Sequence, residues 1–327
     1  MIVTTAETSI TAAASSYRPP SRLPAGLVFL AMVALLVVAP FVAYPLFVMK
    51  VLCFALFALA LNLLLGYGGL LSFGHAAYFG MSSYVSAHAA KMWGLTPELS
   101  IVCGVAVALV LGLVFGLLAI RRKGIYFAMI TLAFAQMVFF FSLQAPFTGG
   151  EDGLQGVPRG ALFSVLDLSS DITLYWVVLA IFVLGWFGTY RIVHSPYGQV
   201  LRAIRGNEER AMSLGYDVYR YKVLLFVLSA GFAGLAGATK AIAFQLATLT
   251  DVAWTMSGEV VLMTLVGGMG TLFGPVVGAA LVVAMQNYLA HLGAWVMVVQ
   301  GVIFAVCVLT FREGIVGVVA KFTRKEL

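Results

Sequence analysis

Apolar residues run along this chain in long blocks and do not alternate with polar ones. From residue 25 onward the blocks lie at roughly 25–44, 46–66, 70–90, 99–120, 125–144, 173–190, 222–246, 256–273, 275–292 and 294–311. A block of about 20 apolar residues, coiled as an α-helix, matches the hydrocarbon thickness of a bilayer. Strands of a membrane barrel would be about 10 residues long and would alternate in facing. The pattern therefore predicts an all-α polytopic integral membrane protein with about ten transmembrane segments. Gly, Ser and His interrupt the third block, so it reads as a broken or re-entrant helix. Residues 1–22 are polar, rich in Ser, Thr and Ala, and close on Pro19-Pro20. This composition predicts a disordered tail, and the segment lacks the apolar core of a secretory signal.

Composition agrees with the pattern. Of the 327 residues, 62% are hydrophobic and 10% are charged. Soluble domains carry about 25% charged residues, and so few charges cannot cover a water-exposed surface. The net charge of +6 is not a nucleic-acid signature, because the basic residues sit in short segments between apolar blocks. With both termini in the cytoplasm, the inner segments hold Arg18, Arg22, Arg121, Arg122, Lys123, Arg191, Arg202, Arg205, Arg210, Arg220, Lys222, Arg312, Lys321, Arg324 and Lys325, which is 15 of the 19 basic residues. Lys91 and Arg159 fall outside, and Lys50 and Lys240 lie near outer helix ends, where they can snorkel. This is the positive-inside asymmetry, and it predicts an even number of spans. Cys53, Cys103 and Cys307 lie inside apolar blocks and read as small buried hydrophobes.

Two loops are too long to be simple turns: an outer one at 145–172 and a cytoplasmic one at 191–221. In the second, Ser195-Pro196 is a helix start, and Tyr197, Val200, Leu201 and Ile204 fall on one helical face. Gly206 ends that helix. Asn207 caps another, with Glu208 and Glu209 in its first turn, Ala211, Met212 and Leu214 as apolar contacts, and Gly215 closing it in a left-handed conformation. Such a helical hairpin either rests on anionic lipid or docks a soluble partner.

Residues 62–80 and 266–278 are glycine-rich. Gly68, Phe73 and Gly74 recur as Gly268, Phe273 and Gly274, which fits either a duplicated half, common in transporters, or convergence of membrane turns. Asn62, Ser72 and His75 place polar groups in the first segment. Inside a bilayer such groups face a cavity or a partner helix. No catalytic constellation accompanies them. Walker A, H-E-x-x-H and G-x-S-x-G patterns are absent, and His75, His88, His194 and His291 are scattered. Glu259 lies near the outer end of its block, whereas a proton-coupled carrier would bury an acid nearer the midplane.

Four stretches carry a resemblance. LNLLLGYGGLLSFGHAAYFGMSSYV (61–85), TGGEDGLQGVPR (148–159), SPYGQVLRAIRGNEERAMSLGYDVYRYKVLLFVLSAGFAGLAGA (195–238) and GEVVLMTLVGGMGTLFGPVVGAAL (258–281) closely resemble, in order, the signature blocks of the permease subunits of branched-chain amino acid ABC importers, of the M type. The resemblance implies a permease domain over 23–315 between a cytoplasmic tail, 1–22, and a basic cytoplasmic tail, 316–327, in a bacterial inner membrane. It implies a transporter subunit and not an enzyme, with no cofactor on this chain and ATP and Mg held by partners. Those partners would be a second related permease (a heterodimer), two cytoplasmic ABC ATPase subunits and an extracytoplasmic solute-binding protein, with membrane lipid around them and no nucleic acid. The segment 207–215 is similar to the family's ATPase-docking loop, which would put Glu208, Glu209, Ala211 and Gly215 at the coupling interface. Its Glu-Glu-Arg-Ala departs from the older pattern of adjacent alanines. Asp152, Gly153 and Arg159 would meet the binding protein, and Asn62, Gly68, Gly69, Ser72, Phe73, Gly74 and His75 would line the pathway or its gate. The same architecture serves leucine, isoleucine and valine, other amino acids, urea and short amides. An ATP-independent channel, a secondary carrier and a membrane-embedded enzyme are the competing classes.

Overall fold

The structure is a computed structural model and describes residues 25–162 and 166–290, with 295, 298, 299, 301, 302, 304, 305 and 314–317 beyond them. The tail 1–22, most of the tenth apolar block with Cys307, His291, and most of the basic tail lie outside the described residues. The helices are α1 (Ala25–Val42), α2 (Pro45–Asn62), α3 (His75–Lys91), α4 (Pro97–Ala119), α5 (Ile125–Gln144), α6 (Asp171–His194), α7 (Pro196–Gly206), α8 (Glu208–Ser213), α9 (Val218–Phe244), α10 (Leu249–Val252), α11 (Trp254–Gly267) and α12 (Gly274–Tyr288). A π-helical turn, Leu63–Tyr67, extends α2. The outer loop carries only two-residue strands, β1 (Leu154–Gln155), β2 (Ala161–Leu162) and β3 (Leu166–Asp167), and β4 (Leu246–Ala247) follows α9. β1 pairs antiparallel with β4, Leu154 opposite Ala247, and β2 pairs with β3.

Among the described residues, five helices are long and apolar enough to cross a membrane: Pro45–Tyr67, Pro97–Ala119, Ile125–Gln144, Asp171–His194 and Val218–Phe244. The chain is an all-α polytopic membrane protein. Three apolar blocks take a form other than a plain span. The third begins as helix only at His75, because residues 68–74 form an irregular turn. The eighth and ninth are α11, with 14 residues, and α12, with 15. At about 1.5 Å per residue these fall short of the roughly 30 Å hydrocarbon core. Gly268 (φ 126°) and Gly270 (φ 82°) break the chain between them.

α9 is the hub, packed against α2, α3 and α4. Lipid tails are as apolar as leucine, so helices in a membrane associate through close contact and hydrogen bonds, not through water exclusion. α4 supplies the close contact with a small residue on every turn of one face: Gly104, Ala108, Gly112 and Gly116, all buried. They meet Ala230, Gly234, Ala238 and Phe226 of α9. α3 supplies the hydrogen bonds. Ser82 Oγ donates to Gly234 O at 2.8 Å and Ser83 Oγ to Gly237 O at 2.7 Å. Both acceptors are helix carbonyls exposed for lack of a glycine side chain.

The charged ends segregate as the basic-residue pattern predicts. Lys123 at the α4–α5 turn pairs with Glu208 at 3.1 Å, and Tyr219 Oη donates to Leu117 O. These contacts join the α4–α5 turn and the 191–221 loop at one end of the bundle, which we call the basic end. At the other end Lys91 donates to Gln155 O at 2.7 Å, and Lys240 pairs with Asp251 at 2.5 Å.

A Cβ on Gly104 would lie 2.7 Å from Ser82 O, whereas one on Gly258 would meet nothing within 4 Å. Gly104→Ala is therefore expected to cost about 1–3 kcal/mol through overpacking and to lower the melting midpoint in detergent. Gly258→Ala, in a helix that prefers alanine, is expected to leave the midpoint unchanged or raise it. Equal midpoints for the two variants would contradict the packing described.

Candidate translocation and coupling site

The glycine-rich stretches form two irregular turns that touch. At the first, α2 loosens into the π-helical turn and the ladder shifts register: Gly69 N–H donates to Leu65 O, and Leu70 N–H to Leu64 O, both at 3.2 Å. Gly69 (φ 68°) reverses the chain. At the second, Gly268 and Gly270 do the same between α11 and α12. A Cβ on Gly66 would come within 2.7 Å of Gly270 N, so only glycine permits this approach of two backbones.

Such turns leave backbone groups without helical partners, and away from water each must find another. Asn62, fully buried, serves the second turn from the first. Its Oδ1 accepts from Gly270 N–H at 2.8 Å and its Nδ2 donates to Thr271 O at 2.7 Å. Thr131 Oγ1 of α5 accepts from Phe73 N–H, and Ser72 Oγ from Gly74 N–H, each at 3.2 Å. The second turn repeats that arrangement, with Thr271 Oγ1 accepting from Gly274 N–H at 3.0 Å. Ser257 Oγ of α11 accepts from Ala76 N–H at 2.9 Å. His75 Nε2 bonds Ser229 Oγ at 2.8 Å, and Ser229 Oγ also meets Ala60 O. The structure thus brings Asn62, Gly68, Gly69, Ser72, Phe73, Gly74 and His75 into one cluster. Within it Gly69 is exposed, Phe73 is half-buried and the other five are buried. The polar side chains Asn62, Ser72 and His75 brace backbone and neighbouring helices.

The 191–221 loop is the hairpin that its caps predict. Ser195 Oγ accepts from Gly198 N–H at 3.3 Å and Asn207 Oδ1 from Arg210 N–H at 2.9 Å. Gly215 is left-handed at φ 87°. The hairpin is tied to the bundle: Tyr197 Oη donates to Tyr221 O at 2.8 Å, and Glu208 bonds Lys222 at 2.9 Å as well as Lys123. Burial raises the Glu208 carboxyl, but the hydrogen bonds from Lys222 and then Lys123 outweigh it and hold the group below its ordinary value. Ala211 is buried with Ile204 and Val218. Met212 and Leu214, expected as inward contacts, face outward with Tyr216; their exposures are 48%, 70% and 40%. A helix of six residues has too little surface to bury more than one face. Glu209 and Gly215 are exposed beside them. The sequence pattern singles out the hairpin but not this patch, whose signal is an apolar residue on either side of Gly215.

On the opposite end Asp152 is exposed. Gly153 (φ 67°) sits against Ala247 of β4 and the residue after it, and a Cβ there would lie 3.3 Å from Thr248 Cα. Arg159 turns inward and bonds Asp171 Oδ1 at 2.7 Å, Ser169 O at 3.3 Å and Ala243 O at 3.2 Å. It fastens the outer loop to α6 and α9. The described residues contain no group of three or more His, Cys, Asp or Glu placed to hold a metal ion.

Asn62→Leu fills the space but strands the Gly270 N–H and the Thr271 carbonyl, each costing about 1–3 kcal/mol. Hydrogen exchange across 268–272 is expected to accelerate and the melting midpoint to fall; unchanged exchange would refute the brace. Because the Glu208 pKa is depressed, its contribution is full above the ordinary glutamate value of 4.5 and is lost as pH falls through the lower folded value. A nitroxide at position 212 should gain mobility only in strong acid, and in the Glu208→Gln variant already at pH 7.

Comparison with known proteins shows the family. Residues 43–308 match the model of the family described as "Branched-chain amino acid transport system / permease component". The chain is 27% identical over 315 residues to the high-affinity branched-chain amino acid transport system permease protein LivM of Escherichia coli, covering 87% of this chain and 74% of that one. It is also 27% identical over 239 residues to the ribose import permease protein RbsC of Bacillus subtilis, covering 67% and 70%. A third relative, the xylose transport system permease protein XylH of Haemophilus influenzae, is 28% identical over 165 residues, covering 45% and 43%. No solved structure matches the chain. The match over most of its length shows that the chain belongs to the family of branched-chain amino acid transport system permease components.

Proposed function

We propose that this chain is the membrane permease of an ATP-driven importer and forms, with a second related permease, the pathway for branched-chain or related amino acids. On this reading the basic end faces the bacterial cytoplasm, as the positive-inside asymmetry requires. A solute-binding protein delivers substrate to the opposite end, where Asp152 is free to meet it. Arg159 and Gly153 act there by holding the outer loop in shape. Two ATPase subunits hydrolyse the ATP, and the hairpin is this chain's docking element for the ATPase.

The observation that carries the proposal is the hairpin itself. It is fixed to the bundle by Glu208, Tyr197 and Ala211, yet presents Met212, Leu214 and Tyr216 to solvent among Glu209, Arg210 and Gly215. A surface resting on anionic lipid would be flanked by basic residues alone, while an apolar centre with a rim of mixed charge suits a protein partner. A channel or a secondary carrier leaves such a surface without use. The glycine turns, braced by Asn62, Ser72 and His75, supply the moving part or gate. ATP binding by the partners does work on them only if the docked states differ in free energy.

The relatives named for ribose and xylose favour a second substrate class, the pentoses, and short amides such as urea belong to a third. The test is uptake of labelled leucine into proteoliposomes holding the assembled complex, with ATP enclosed and unlabelled ribose or urea as competitors. Leucine uptake that needs ATP and ignores both competitors supports the proposal. Uptake without ATP overturns it, and absence of leucine uptake, with labelled ribose or urea taken up when offered in its place, reassigns the substrate. Leu214→Glu, at an exposed site, is expected to leave the fold intact and to lower uptake at least tenfold through loss of ATPase docking.

A further inference from the structure

Arg205 hydrogen-bonds the hairpin to the glycine turns. Arg205 stands in the last turn of α7 and donates from Nη1 to the carbonyl of Gly66, in the π-helical turn of α2. That carbonyl is available because the turn shifts the ladder: Leu70 N–H, its partner in a regular helix, bonds Leu64 O instead. It also belongs to the C-terminal end of a long helix, where the macrodipole favours a cation. The arginine stem lies along Gly69, where a Cβ would sit 3.2 Å from Arg205 Cγ. Its Nη1 is also 3.8 Å from the Cβ position of Gly270, in the second turn. The guanidinium thus bonds the first turn and lies beside the second, and Asn62 joins the two turns to each other.

Two further hydrogen bonds of α7 run to the flanking helices. Arg202 donates to Val193 O and Tyr197 to Tyr221 O, which tie the hairpin to the helices that enter and leave it. Ile204, one residue before Arg205, packs against Ala211 of α8. A continuous path thus leads from the exposed patch through Ala211 and Ile204 to Arg205, and from there to Gly66, Asn62 and Gly270.

We infer that Arg205 is the positioning residue that makes the hairpin and the two glycine turns move as one body, so that motion imposed on the hairpin reaches the turns directly. This rests on the importer reading above. A guanidinium suits this role because it presents several donors in a planar fork, whereas lysine offers a single flexible point charge.

The experiment compares wild type, Arg205→Lys and Arg205→Ala in the assembled complex, measuring solute uptake per ATP hydrolysed. Arg205→Ala is expected to lower that ratio at least tenfold while ATP hydrolysis continues, and Arg205→Lys to recover part of it. A wild-type ratio in Arg205→Ala overturns the inference. If the alanine variant does not assemble, nitroxides at positions 71 and 203, with Arg205 intact and the native cysteines replaced, decide the matter. Their separation is expected to stay constant with and without ATP, and a separation that changes with ATP overturns the strut. Wild-type uptake that needs no ATP would instead defeat the importer reading, and the spin-label separation, measured in the same complex, still tests the strut.

Discussion

The structure depends on one carboxamide. A chain that breaks its helices inside a membrane exposes amide and carbonyl groups that have no water to bond, and each unmet group costs as much as a lost hydrogen bond. Here two breaks occur close together, at residues 68–74 and 268–273. Asn62 meets one amide and one carbonyl of the second from a position just before the first. Amide side chains carry a donor and an acceptor on one plane, so asparagine can satisfy both groups at once. Thr131, Ser72, Thr271 and Ser257 complete the set, each hydroxyl accepting from a backbone N–H at or beside a turn. The breaks are thereby bonded through side chains while remaining short of helical rigidity, a combination that suits elements that must shift between discrete arrangements.

The remainder of the fold holds these turns in place. α9 runs its glycines and alanines against α4, and α3 bonds its serines to the carbonyls that those glycines expose. Small residues here do what burial from water does in a soluble protein. At the basic end the hairpin is bound back by charged pairs to Lys123 and Lys222. At the other end β1 zips onto β4 and Arg159 draws the outer loop against α6 and α9. The basic end exposes an apolar patch at 212–216, and the other end exposes the acidic pair Glu151 and Asp152.

Much of this was legible in the residues. The long apolar blocks marked the helices, and Ser195, Asn207 and Gly215 marked the hairpin's ends, because capping depends on local chemistry that a sequence displays. That Asn62, Ser72 and His75 needed partners followed from the cost of polar groups in a bilayer. Which partners they found did not, since Gly270 and Thr271 lie more than 200 positions from Asn62. Hydrophobicity alone made α11 and α12 look like spans, and only the left-handed glycines between them show where each stops. The inward turn of Glu208 and Arg159 was likewise hidden. A charged residue in a loop reads as solvated until its counter-charge, Lys222 or Asp171, is found beside it. The small-residue faces of α4 and α9 went unread in the sequence and gained meaning only when the two helices were seen to meet.

The central claim is that this chain works as the membrane part of a larger machine driven through its hairpin. The most direct test is purification of the tagged chain from its native membrane in mild detergent, with the bound proteins identified by mass spectrometry. The predicted result is a second permease of the same family together with two ATP-binding subunits. Recovery of the folded chain alone, with neither, would contradict it.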